Sequence, residues 1–116
     1  MKHVFRYLGR FQWWEYTVSH GQLLLRSTQS EERKTQVDVL FKDVVAVKLA
    51  TSCDDLEVLE LESAERPAEL VPSAGRRHFV VRSRNMEGFV IAGAVFHIEG
   101  GQTHSDQSPL MPKFPP

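Results

Sequence analysis

The sequence predicts a mainly β fold, a single-domain partly open barrel or orthogonal β-sandwich with at most one short helix. Three observations lead to this fold class. Apolar and polar residues alternate in six to eight short runs, turn-forming residues separate the runs, and 116 residues suffice for one core only. We expect the β domain to span residues 1–99, followed by a tail rich in proline, glycine and serine at 100–116.

The first readable element is a β-hairpin over residues 14–28. Apolar residues alternate on both sides of His20 and Gly21, which predicts a two-residue loop at that point. Glu15 and Trp13 then lie on the outer face, whereas Trp14 faces the core with Tyr16. The register that this loop gives pairs Val18 with Leu23, Tyr16 with Leu25 and Glu15 with Arg26.

The later elements follow the same alternation. A third strand runs through Val37, Val39 and Phe41, and we expect it to bend near Lys42 and Asp43 and to change its inward face. The remaining predictions are a turn at Asp54 and Asp55, a strand at 56–61, a helix of one or two turns within 63–71, a strand at 78–84, a turn at 85–88, and a long strand at 89–98 with a bulge or close backbone approach at Gly93.

The inward positions of these strands predict the core. Its expected members are Tyr16, Val18, Leu23, Leu25, Val37, Val39, Phe41, Val45, Val47 and Val81. The tail adds three apolar anchors, Leu110, Met111 and Phe114, and we therefore expect it to dock instead of remaining a free linker. Its expected receptor is the outer face of the hairpin near Trp13, the open barrel end, or a second copy of the chain.

One stretch resembles a known family. The run from Val37 to Val47, after the strand at 21–26, is similar to the pattern of bacterial pleckstrin-homology-like domains, and the similarity covers residues 12–62. The resemblance implies a small β barrel whose end is closed by a C-terminal helix, and binding of anionic lipids or phosphoinositides. Residues 89–98 are rich in valine, isoleucine and glycine, so either a strand replaces that helix or the assignment does not hold.

The sequence contains no catalytic signature. No nucleophile lies between glycines, no glycine-rich loop carries the lysine and hydroxyl of a phosphate site, and the five histidines lack metal-ligand spacing. We therefore expect no enzymatic activity, no cofactor and no metal. Cys53 cannot form an internal disulfide, and beside Asp54 and Asp55 we expect it to be an exposed, unreactive thiol.

Charge is distributed unevenly along the chain. Residues 54–69 hold seven acids and only Arg66 as a base, a segment charge of −6, whereas residues 76–84 hold four arginines and no acid. We expect the two segments to pair antiparallel and neutralise each other. The alternative is an acidic face for a cationic partner beside an arginine patch for an anionic one.

These patterns favour a protein-interaction module. Its candidate binding residues are Trp13, Arg82, Arg84, Asp54, Asp55 and Glu57. One alternative is an immunity or antitoxin-type protein that neutralises a basic toxin, and another is anionic lipid binding, which a hairpin loop without lysine or arginine disfavours.

The expected partner is another protein. The tail or the Trp13 face could also join two copies in a homodimer. A net charge of −1 predicts no nucleic-acid binding, and the absence of a long apolar run predicts no membrane span. Without a recognisable signal segment, we expect a cytoplasmic location.

Overall fold

A computed structural model describes residues 1–30, 33–66, 75–100, 108 and 110 of the chain, and this part is mainly β as the sequence predicts. It contains eight strands and two 3-10 turns, at Val18–His20 and Ser63–Glu65. The strands are β1 (Lys2–Thr17), β2 (Gln22–Ser27), β3 (Gln36–Lys42), β4 (Ala46–Lys48), β5 (Ser52–Leu61), β6 (Arg77–Arg82), β7 (Glu87–Ala92) and β8 (Ala94–Gly100).

All eight strands belong to one antiparallel sheet in the order β4-β7-β6-β5-β1-β2-β3-β8. The sheet curls because β3 runs on into β4 and β7 runs on into β8. The two continuous paths pair with each other, β3 with β8 and β4 with β7, so the two ends of the sheet meet. Strand pairing therefore follows a circuit of six strand paths around a common core.

The circuit opens along one side. The first half of β1 pairs with β5 alone, while β2 joins β1 only from Gln12 onward and ends at Ser27. The Arg33 guanidinium crosses the resulting gap, where it donates hydrogen bonds to the Leu8 carbonyl and to Ser27. The barrel is thus partly open, in agreement with the predicted fold class.

The bend predicted near Lys42 and Asp43 is confirmed. Asp43 adopts the left-handed conformation at φ +58°, and β4 then pairs with β7 instead of β8. Gly93 lies directly against this bend, because an added Cβ would come within 3.0 Å of the Asp43 Cβ. The bend also shifts the inward face by one residue, so Val44 is buried and Val45, predicted in the core, is 50% exposed.

The predicted hairpin register is wrong. Val18 to His20 form a 3-10 turn, and Gly21 ends it in the left-handed conformation with its N–H donating to the Val18 carbonyl. The connection therefore takes four residues instead of two, although His20 and Gly21 do lie in it. The structure pairs Tyr16 with Leu23, Thr17 with Gln22, Glu15 with Leu24, Trp13 with Leu25 and Gln12 with Arg26.

The core prediction is confirmed for six of its residues. These are the fully buried Leu23, Leu25, Val37, Val39, Phe41 and Val81. Tyr16 and Val18 are exposed because the longer connection places them at the hairpin end, and Val47 is only partly buried against the core. The largest side chains that the prediction omitted are Phe5, Phe11 and Phe79.

Two predictions around residue 54 are also wrong. Asp54 and Asp55 lie inside β5 instead of in a turn, and Asp55, at φ +64°, lies where the pairing with β1 shifts register near Gly9. Cys53 is buried instead of exposed. Burial, and secondarily the charges of Asp54 and Asp55, raises the pKa of its thiol to about 11, which disfavours the thiolate form that reacts.

The last elements agree with the sequence in type but not in all their bounds, because β6 ends at Arg82 and β7 begins at Glu87, inside the turn predicted at 85–88. Residues 89–98 lie in strands β7 and β8, separated by Gly93, and no α-helix occurs in the described ranges. The helix expected within 63–71 is a 3-10 turn at Ser63–Glu65, and residues 67–71 lie outside the described part.

Replacing Phe41 by alanine should lower the free energy of unfolding by about 3 to 5 kcal/mol, because the ring is fully buried and its loss leaves a cavity. Val45→Ala is the matched control, since half of that side chain is already in water, and we expect a loss below about 1 kcal/mol. Urea unfolding measures both. Equal effects of the two substitutions would contradict a strand phase that buries Phe41 and exposes Val45.

Candidate functional site

Strands β2 and β3 are buried on both sides of the sheet. Every residue from Gln22 to Ser27 and from Gln36 to Phe41 is buried. Leu23 and Leu25 face the barrel core, while Leu24 and Leu40 form a separate cluster on the opposite side. We call this opposite side the outer face, and it comprises Trp14, Gln22, Leu24, Arg26, Gln36, Asp38, Leu40, Phe96 and Ile98.

An ion pair between Arg26 and Asp38 lies in the middle of the outer face. The two residues are directly opposite each other on β2 and β3. The guanidinium Nε is 2.7 Å from one carboxylate oxygen and Nη2 is 3.1 Å from the other, and both side chains are completely buried. The Trp14 ring covers the guanidinium at 5.0 Å from its centroid. The pair is therefore bidentate and internally neutral.

Exposed apolar side chains surround this buried centre. Phe96 lies opposite Leu40 and Ile98 lies opposite Asp38, so both extend the outer face onto β8. Their exposed fractions are 45% and 36%, and that of Trp14 is 39%. The outer face thus combines a buried base with an apolar rim that is in contact with water, the arrangement typical of a binding surface.

Three polar atoms of two glutamine side chains in the base lack hydrogen bonds among the described residues. Neither Oε1 nor Nε2 of Gln36 has a partner among the described residues, and the same holds for Oε1 of Gln22. Both residues are buried, Gln36 completely. An unpaired buried amide costs about 1 to 3 kcal/mol, which a ligand with peptide groups would recover by pairing with it.

The tryptophan that sequence reasoning placed on the outer face is the wrong one of the two. Trp13 is half-buried, packs against the barrel core and lies opposite Leu25. The register of β1 shifts between Trp13 and Glu15, so the extra residue Trp14 turns outward at this bulge. The period-two pattern carries no sign of the bulge, and it therefore exchanged the two rings.

The five charged candidate residues lie elsewhere. Asp54, Asp55 and Glu57 belong to β5, Arg82 ends β6, and Arg84 lies two residues beyond it. The acidic and basic segments pair antiparallel there, as predicted. Arg84 lies 2.9 Å from an Asp55 oxygen, Glu57 is opposite Arg82, and Arg82 contacts Glu87 at 3.1 Å. Asp54 contributes through its backbone, whose carbonyl accepts the Arg84 N–H. In the described residues the arginines thus face carboxylates and form no isolated positive patch.

These contacts shift the pKa values of two carboxylates. The Gly9 backbone N–H, followed by the Arg84 side chain, lowers the pKa of Asp55. Hydrogen bonds from Arg77 lower the pKa of Glu60. Both carboxylates are therefore held in the charged form, which suits a structural role better than that of a general acid or base.

The described residues also offer little for catalysis. They contain no group of three or more His, Cys, Asp or Glu side chains arranged to hold a metal ion. A hydrogen bond of 2.5 Å joins the Tyr7 hydroxyl to Nδ1 of His97, but burial, with the charge of Glu99, raises the pKa of Tyr7. A raised pKa disfavours the phenolate form that a tyrosine nucleophile or base requires.

Comparisons with known proteins identify no relative. No family model, no curated protein and no solved structure matches this chain. The resemblance to pleckstrin-homology-like domains therefore stays a prediction from the sequence.

A membrane-spanning helix must be both long and apolar. Within the described ranges, none of the helical segments has the length and apolar character that such a helix needs.

Replacing Arg26 by methionine should lower the free energy of unfolding by about 3 to 5 kcal/mol, because the Asp38 carboxylate then stays buried without its partner. The double variant Arg26→Met, Asp38→Leu should recover most of that loss. Arg82→Met is the control, since its ion pair with Glu87 is largely exposed and should contribute less than about 1 kcal/mol. A single-variant loss as small as this control would contradict a buried pair.

Replacing Asp55 by asparagine should destabilise the protein at neutral pH but not in strong acid. The native pKa of Asp55 lies below its unfolded value, so the charged form stabilises the fold above the unfolded pKa. That contribution disappears as the pH falls through the native pKa. Melting temperatures of both proteins across the acidic range measure the difference, with Asp54→Asn as a neighbouring control. A difference independent of pH would rule out the charge as its origin.

Proposed function

We propose that this chain is a non-enzymatic protein-interaction module and that its outer face binds the partner. The observation that supports this proposal most directly is the apolar rim of Trp14, Phe96 and Ile98 around a buried polar base. Aromatic side chains beside a desolvated centre are the residues that contribute most of the binding energy at protein interfaces. The chain offers this arrangement on one continuous surface of β1, β2, β3 and β8.

The chemistry of the outer face favours a protein over a phosphate-bearing partner. Asp38 already neutralises the buried Arg26 through two hydrogen bonds, and among the described residues the one further cation against an outer-face ring is Lys42, whose ammonium lies 5.4 Å from the Phe96 ring centroid. A lipid headgroup or a nucleic-acid backbone would need a cluster of free positive charges. Exposed rings and the unpaired amide of Gln36 instead match the apolar side chains and backbone groups of another protein.

The immunity-type alternative has weaker support. It depends on an acidic surface that attracts a basic toxin. On β5, however, Asp55 is paired with Arg84 and Glu60 with Arg77, which reduces the field that these acids project into solvent. We therefore rank this alternative second and anionic lipid binding third.

The proposal is tested by placing a photo-crosslinking amino acid at position 96 and, as control, at position 45 of the full chain. Proteins captured from cells of the source only at position 96 are then purified and their affinity for the wild-type chain is measured. Trp14→Ala and Phe96→Ala should each weaken this binding about 30-fold, the effect of losing about 2 kcal/mol at an interface centre.

Val45→Ala is the matched control for the rim variants, because it removes an exposed apolar side chain beyond the bend of the β3–β4 path. It should bind the partner as tightly as the wild-type chain does. Rim variants that also bind with unchanged affinity would contradict the proposal. Circular dichroism spectra of all variants establish that a loss of binding does not reflect unfolding.

A further inference from the structure

Part of the chain itself already contacts the outer face. Leu110 packs against Leu24 and Leu40. Ser108 is buried as well, and its hydroxyl accepts a hydrogen bond of 3.2 Å from the Leu110 N–H. In the sequence, this leucine follows Pro109 and is succeeded by three more prolines, at positions 112, 115 and 116. The outer face therefore holds a leucine from a proline-rich segment.

We propose that the ligand of the outer face is an extended, proline-flanked peptide with a leucine anchor, and that the chain's own Leu110, together with Ser108, competes with it from within the chain. This inference rests on the proposed function, because it names the class of partner for the same surface. It makes the C-terminal segment an internal competitor that lowers the apparent affinity for the partner.

The composition of the outer face matches such a peptide in three ways. The Leu24 and Leu40 side chains provide an apolar seat for one aliphatic anchor. The unpaired amide of Gln36 has both a donor and an acceptor, which can pair with the carbonyl and N–H of an extended backbone. The exposed Trp14 and Phe96 rings provide the aromatic surface on which prolines pack in known recognition of proline-rich segments.

Proline also explains how a short segment can bind to the outer face. Its fixed φ angle holds the chain extended before binding, so less conformational entropy is lost on docking. A segment of the same chain acts at an effective concentration of about millimolar, which even a weak intrinsic affinity can convert into substantial occupancy. A partner peptide must displace that segment before it binds.

The test uses a fluorescein-labelled peptide with the sequence of residues 105–116. It is titrated into the wild-type full chain and into the Leu110→Asp full chain, and binding is followed by fluorescence anisotropy. We expect saturable binding to the variant and at least about 10-fold weaker binding to the wild-type chain. The same peptide with aspartate in place of its leucine is the control and should bind neither protein.

A second variant shows whether the result for the Leu110→Asp chain arises from misfolding. Leu110→Ala removes the anchor without adding charge, and it should bind the peptide with an affinity between those of the wild-type and Leu110→Asp chains. Adding Trp14→Ala to the Leu110→Asp chain should abolish saturable binding, which places the peptide on the outer face. Urea unfolding of each variant confirms that the proteins compared are folded.

The outcomes separate the two proposals. Equal affinity of the wild-type and Leu110→Asp chains would overturn internal competition, and absence of binding to all variants would overturn the peptide class. A wild-type dimer that Leu110→Asp abolishes would also overturn it, since the segment would then act between two copies. None of these results changes the crosslinking test, which fails only if no partner depends on Trp14 and Phe96.

Discussion

The sheet depends on the contact between Asp43 and Gly93. Here two strand paths bend together, and the Gly93 N–H donates to the carbonyls of both Lys42 and Asp43. An added Cβ at position 93 would come within 3.0 Å of the Asp43 Cβ, so a larger residue there would force the Asp43 side chain to shift. Because β4 and β8 would otherwise be the two ends of an open sheet, this contact turns the sheet into a circuit. The interior of the barrel and the outer face of β2 and β3 both follow from it.

The buried ion pair on the outer face contributes more to the specificity of strand register than to stability. Two charges removed from water contribute little net free energy, and an apolar pair of similar size could serve equally well. Arg26 and Asp38, however, satisfy each other only when β2 and β3 are in the observed register. A slip by one residue would place a charge in the barrel core beside Leu25, at a cost of several kcal/mol. We infer that the pair fixes the register of the surface on which the proposed site depends.

The sequence predicted the parts of this fold in which apolar and polar residues alternate with a period of two. Alternation located Leu23, Leu25 and the third strand, and it located the bend at Asp43. It failed where one extra residue enters a strand, because a bulge at Trp14 leaves no trace in composition yet reverses every following side chain. The outer face did leave a signal. The unbroken apolar runs at 23–25 and 39–41 indicate strands that are covered on both sides. What covers them depends on long-range contacts that no local pattern contains.

The open side of the barrel has a consequence for how molecules of this protein meet at high concentration, because among the described residues the first half of β1 pairs with β5 alone. A strand of another chain could add to the edge of β1 that faces the gap, a common route to aggregation. Arg33 occupies the Leu8 carbonyl on that edge. An incoming strand would therefore meet a cation and a hydrogen-bond acceptor already in use. Arg33 thereby hinders strand addition at this edge of the incomplete barrel.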